Sequence, residues 1–148
     1  MTPVPIRALT IQQPWADAIV HTTHPKWGRK RIENRSWPIP EAYVGTRIMI
    51  HAGKAGDRKA LAIGVVPGPD VRGAVIATAL LKGCHLASVA CHIRGGEGCG
   101  PWADPEVFHW QLDDVQALTA PIPAKGALGL WTPGEDVQQA VHDQHRMG

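Results

Sequence analysis

The sequence predicts an α+β fold: a mixed, barrel-like sheet of five or six short strands in one domain, with two or three flanking helices. Three observations lead there. Apolar residues alternate with period two in several short segments, helical periods occur only in brief stretches between them, and the βαβ rhythm of a parallel sheet is missing. Short strands in a chain of 148 residues do best when the sheet curls on itself and removes its edges, hence the barrel-like form.

Residues 7–11 (Arg-Ala-Leu-Thr-Ile) alternate, with Leu9 and Ile11 pointing one way, and predict the first strand. The period then becomes helical: Trp15, Ala18, Ile19 and Thr22 fall at i, i+3, i+4 and i+7, behind Pro14 and with Asp17 in the positive first turn. Pro25 and Gly28 end that helix. Residues 29–36 fit a strand or an extended loop, stopped by Pro38 and Pro40. Residues 47–52 predict a second strand after a turn at Gly45, and 57–65 a short helix capped by Asp57. The apolar run 73–81 suits a central strand buried on both faces. Residues 83–105, rich in Gly, Cys and His, read as one long loop, and loops of that length tend to be functional. Phe108, Trp110 and Leu112 alternate as a strand, 126–131 forms a closing strand, and 136–145 is a polar helical tail beyond a core of about residues 6–132.

Composition narrows the function classes. No apolar run approaches the roughly 20 residues that span a bilayer, and residues 1–6 lack the charged start and apolar stretch of a secretion signal. The expectation is a soluble cytoplasmic protein with no membrane partner. The net charge of +2 conceals an asymmetry: residues 1–96 carry thirteen Lys/Arg against five Asp/Glu, and residues 97–148 carry two against eight. If the halves map to faces, such a chain orients an anionic partner. Cys84, Cys91 and Cys99 are too few and too odd in number for a disulfide framework. His85 and His92 follow two of them, but spacings of seven and eight residues are looser than the pairs of structural zinc sites. No cofactor and no metal site is therefore expected, these five residues being the weak candidates.

The densest chemistry lies at 26–35 (Lys-Trp-Gly-Arg-Lys-Arg-Ile-Glu-Asn-Arg), which holds five of the fifteen cationic side chains and one acid. Cations beside indoles suit phosphates and stacked bases. On a regular strand Arg31, Glu33 and Arg35 share a face, so Lys30 meets Glu33 only by leaving the strand, which Gly28 makes feasible. Together, Lys30, Arg31, Arg35 and Arg29 would neutralise phosphate, Glu33 and Asn34 would read a base edge, and Trp37 would stack on it. Gln13, Trp15 and Ser36 are candidates to line the same cleft. The plainer alternatives are an internal ion pair of Glu33 with Arg35 or Lys30, a core position for Trp15, and an ordinary hydrogen-bonded histidine at His51.

Residues 28–35 match Gly-x-Lys-x-x-Glu-x-Arg, which resembles the signature of the ASCH domain family of the PUA-like β-barrels. Gln13-Pro14-Trp15-Ala16, Glu33 to Trp37, Gly45 to Ala52 and Gly129-Leu130-Trp131 look like further landmarks of that family in its order, spanning about residues 6–132. The resemblance implies a curved sheet with a cleft that binds RNA or another single-stranded nucleic acid. It also admits a hydrolase acting on a modified nucleoside or on RNA, amidohydrolase or ribonuclease-like, with Lys30, Glu33 and His51 as candidate catalytic residues. In a similar deacetylating branch a threonine stands where this chain has Glu33, and a carboxylate cannot serve as a hydroxyl nucleophile. A protein-interaction module docking a basic partner on the acidic half is the third expectation; the oligomeric state is open.

Overall fold

The structure, a computed structural model, describes residues 7–64, 66–88, 91 and 99–147. Strands β1 (Ala8–Gln13), β2 (Ile32–Arg35), β3 (Arg47–Gly56), β4 (Ala74–Leu86), β5 (Phe108–Pro123) and β6 (Leu130–Trp131) form one sheet in the order β2-β5-β4-β3-β1-β6. Helix α1 (Trp15–Val20) follows β1, α2 (Arg58–Ile63) follows β3, and α3 (Glu135–Met147) closes the chain; a 3-10 turn spans Glu41–Tyr43. The sheet is mixed because β1 runs parallel to β3 while every other pairing is antiparallel.

Hydrogen bonding leaves β2 and β6 as edges, so the sheet is an open one that curls like a barrel. Arg35 on β2 donates from Nη2 to the carbonyl of Thr10 on β1 at 2.8 Å, although three strands separate the two in the sheet order. The space inside the curl is filled by Leu9, Ile11, Ile19, Ile48, Ile50, Ile76, Leu81 and Trp110, all buried. β4 is central and buried along its first half, as its unbroken apolar run requires. α2 starts at Asp57, whose carboxylate accepts the Ala60 N–H, and ends at Gly64 in the left-handed region.

Three segments depart from the sequence reading. β4 continues through Leu86, so the first residues of the expected 83–105 loop are strand. β5 runs 16 residues, well past the alternation that reveals it. It passes through Asp113 and Asp114, the latter at φ 42°, and from there slips register against β4, which erases the period-two pattern while the pairing persists. The other departure is the tail. Val137 and Val141, one helical turn apart, are buried with Ala8, Met49 and Val75 on the outer face of the sheet. α3 is thus part of the packed domain. No described helix is long and apolar enough to cross a membrane.

Shortening Val141 to alanine should cost about 1–3 kcal/mol of stability, from lost burial plus a cavity. A urea midpoint equal to that of the parent chain would show that α3 does not pack where it lies here.

Candidate functional site

The site begins with a tight turn. His24 and Gly28 bridge backbone to backbone, the His24 Nδ1 accepts the N–H groups of Lys26 and Trp27 at 3.1 and 3.0 Å, and Gly28 takes φ +70°, which a side chain would resist. The chain leaving the turn is pinned by the Lys30 N–H on the Ala18 carbonyl of α1 at 3.0 Å. Lys30 therefore lies ahead of β2, which starts at Ile32, and its amine reaches back toward the strand. Nζ donates to the Ile32 carbonyl and lies 3.5 Å from Glu33 Oε1. Glu33 and Arg35 share a face of β2, as strand alternation dictates, and Glu33 Oε2 accepts from Arg35 Nε at 3.0 Å and from Nη2 at 2.9 Å.

The three groups thus pair with one another and also line a cleft of about 670 Å³. Lys30 and Glu33 are 3% and 7% exposed, so they form its buried base. Burial lowers the Lys30 pKa below its ordinary 10.5, outweighing the opposing pull of Glu33 and Asp104. One wall comes from Thr10, Ile11 and Gln12 of β1 with Trp15 and Asp57; the other from Trp27, Trp102 and Asp104. Leu128, 98% exposed, stands at the lip. The indoles interlock: Trp102 meets Trp27 and Trp15 edge to face at centroid distances of 5.2 and 6.3 Å, and its Nε1 donates to the Trp27 carbonyl. Trp27 stacks one face on His24 at 4.8 Å and is 40% exposed.

Among the lining residues Lys30 and Arg35 face Glu33, Asp57 and Asp104, so the cleft interior is not the basic surface that the sequence suggests. The cations at its approach are Lys26 and Arg29, both exposed on the turn.

Other sequence candidates lie elsewhere. Arg31 turns away, donating from Nη1 to the carbonyls of Ile19 and Lys30 and so satisfying the end of α1. Arg29 donates to Thr23 Oγ1 at the surface. Trp37 packs on the core, edge to face with Trp110 at 4.7 Å, and does not line the cleft. Asn34 lines it, but its amide is committed: Nδ2 donates to the Trp102 carbonyl at 3.0 Å and Oδ1 accepts the Asp104 N–H at 2.9 Å. Gln13 is fully buried, bonding Val71 and Asp17, and Ser36 is exposed; neither lines the cleft. His51 is buried against Thr10 and the Ala124 carbonyl, with burial lowering its pKa, and stays outside the cleft as well. Trp27, Trp102, Asp57 and Asp104 are lining residues that sequence reasoning did not assign; the clue to Trp102 and Asp104 was the unusual length of the loop that carries them.

Of the weak metal candidates, Cys84 faces the core and His92 lies outside the described residues. His85, Cys91 and Cys99 converge with His109.

No protein-family model matches the chain, and no curated protein matches it. Solved structures do. The crystal structure of ASCH from Zymomonas mobilis aligns with a TM-score of 0.56 at 16% identity, covering 93% of each chain. A serine-to-alanine variant of the Zymomonas mobilis protein gives 0.52 at 16%, covering 97% of this chain and 98% of that one. A tyrosine-to-phenylalanine variant gives 0.52 at 17%, covering 93% and 96%. The chain has the ASCH fold. The likeness runs through nearly the whole chain, so β1 to α3 together make up that fold.

Because the Lys30 pKa is lowered in the folded state, the unfolded chain binds the extra proton in the window just below 10.5, and stability rises with pH across that window. Lys30→Met should flatten that rise on the side below 10.5 in urea titrations. An unchanged slope would show that the amine is as well solvated folded as unfolded.

Proposed function

We propose that this ASCH-fold domain binds single-stranded nucleic acid, RNA in the first instance, by taking one base into the cleft. The convergence of Lys30, Glu33 and Arg35 between the indoles of Trp15, Trp27 and Trp102 carries this proposal. The cleft has the size of pockets that enclose a small ligand, about 300–1,000 Å³. Its polar base offers one carboxylate acceptor and two cationic donors, which is the complement of an exocyclic amine beside a ring carbonyl. The open face of Trp27 is the stacking surface, taking the place assigned to Trp37 by sequence. Phosphates belong at the approach, on Lys26 and Arg29, since carboxylates outnumber cations among the lining residues. A cytoplasmic setting accords with such a partner.

Trp27→Ala should weaken binding of a labelled oligoribonucleotide by about fivefold to 100-fold, the range of one base–aromatic stack. Lys26→Ala with Arg29→Ala should weaken it less at high salt than at low and reduce the salt slope by about two. RNA affinity unchanged in both variants across a salt series would sink the assignment, and equal affinity for the matching DNA would remove the preference for RNA.

One observation favours a second role, hydrolysis of a modified nucleoside. Lys30 is an amine with a lowered pKa, 3.5 Å from a carboxylate, inside a pocket of nucleoside size. Lys30 would take a proton from the water that attacks the acyl carbon and pass it to the amine nitrogen as the acyl C–N bond breaks, while Glu33 accepts from the substrate amide N–H. Incubation with N-acetylated cytidine should then release acetate in the parent chain and much less in Glu33→Gln; no turnover at stoichiometric enzyme rules this role out.

A further inference from the structure

Where β4 ends and β5 begins, one register position beyond Glu33, four metal-ligating side chains meet. His85 on β4 and His109 on β5 are direct cross-strand partners in the ladder. Cys91 follows β4 and Cys99 precedes β5 in the returning chain. The ligand atoms of all four lie within 4.8 Å of one another. His85 Nε2 is 2.9 Å from Cys99 Sγ, 3.2 Å from Cys91 Sγ and 3.3 Å from His109 Nδ1.

Hydrogen bonds can use these atoms only a pair at a time. Nε2 of a neutral imidazole carries either one proton or one lone pair, yet three neighbours crowd it. Nor can His109 Nδ1 be the donor while Nε2 donates to the Asp104 carbonyl at 2.6 Å, since the neutral ring then holds its lone pair at Nδ1. Several electron pairs therefore point at one small volume. A cation at its centre would use all four. The edges of a tetrahedron around zinc, with Zn–S near 2.3 Å and Zn–N near 2.0 Å, are about 3.3–3.8 Å, close to the separations seen here. The bond from His109 Nε2–H to a backbone carbonyl is also the usual outer partner of a zinc-bound histidine.

We propose that His85, Cys91, Cys99 and His109 form a structural Cys2His2 zinc site. With all four positions taken by protein, it has no open position for substrate and stabilises the fold instead of doing chemistry. What it stabilises is specific. Asp104 gives its carbonyl to His109 and its N–H to Asn34, and those two residues are paired across β5 and β2. Asn34 also holds the Trp102 carbonyl. The ion fixes His109 and Cys99 on either side of this segment, and so fixes the wall of the cleft that Trp102 and Asp104 supply. Its role is the same whatever the cleft binds.

Protein produced in zinc-supplemented medium should carry about one zinc per chain by elemental analysis, and its zinc-edge absorption should show a mixed sulfur and nitrogen shell at about 2.3 and 2.0 Å. Cys99→Ser and His109→Ala should lose the metal by more than about tenfold, while Cys84→Ser keeps it. Where a variant fails to fold, cobalt titration of the parent chain decides: bound cobalt should give the visible bands of tetrahedral thiolate coordination. Chelation should open the segment between β4 and β5 to protease and change tryptophan emission. Zinc content at background in the parent chain refolded with excess zinc, a shell without sulfur, or retention of zinc by Cys99→Ser would overturn the proposal.

Discussion

The structure turns on one buried carboxylate. Glu33 sits between Lys30 and Arg35 with almost no solvent contact, and each cation is also held by a backbone carbonyl, Lys30 by Ile32 and Arg35 by Thr10. Burying Lys30 and Glu33 costs several kcal/mol per ion before pairing is counted, so such a cluster adds little as stability alone. What it does accomplish is geometric. Arg35 spans the gap between an edge strand and β1, which holds the open sheet in its curl, and Glu33 aligns the guanidinium that makes that span. Without the carboxylate, two cations would face each other across a desolvated cleft. The same contacts that shape the fold therefore shape the pocket.

Charge placement gives the cleft its character. The cationic and acidic halves of the sequence are interleaved in space: Arg47 on β3 pairs with Asp114 on β5, and Asp104 and Asp57 reach the cleft beside Lys30 and Arg35. A surface that attracts any polyanion would leave its cations unpaired. Here those at the base are engaged, and the exposed ones sit on the turn beside Trp27. In the proposed binding mode, attraction and selection are thus separated, the first at the approach and the second within the pocket.

Much of this was legible in the sequence because it rests on local rules. Alternation located β1, the turn at Gly45 introduced β3, an unbroken apolar run located β4, the Asp57 cap located α2, and strand geometry required Lys30 to leave the strand before meeting Glu33, as it does. Non-local pairing hid the rest. β5 continues through a bulged, acidic stretch because β4 pairs with it, and α3 buries Val137 and Val141 against residues more than sixty positions away. Trp37 and Trp102 show the limit plainly. One is near the motif yet packs on Trp110; the other is distant in sequence yet lines the cleft, because Asn34 grips its carbonyl.

The sequence offers His85, Cys91 and Cys99 only as weak metal candidates and misses His109 for the same reason, and the position of the cluster explains why it matters. Spacing rules for zinc assume ligands on one tight loop, whereas His85 and His109 become neighbours only through the register of β4 and β5. That register also aligns His109 with Asn34 on β2, and the Asp104 peptide is clamped between the two, its carbonyl on one and its N–H on the other. A peptide held on both sides transmits position: any shift of His109 moves Asp104, and with it the loop bearing Trp102. The aromatic wall of the cleft is therefore set by the sheet and the His/Cys cluster together, residues 99–104 being held between Cys99 and the Asp104 peptide.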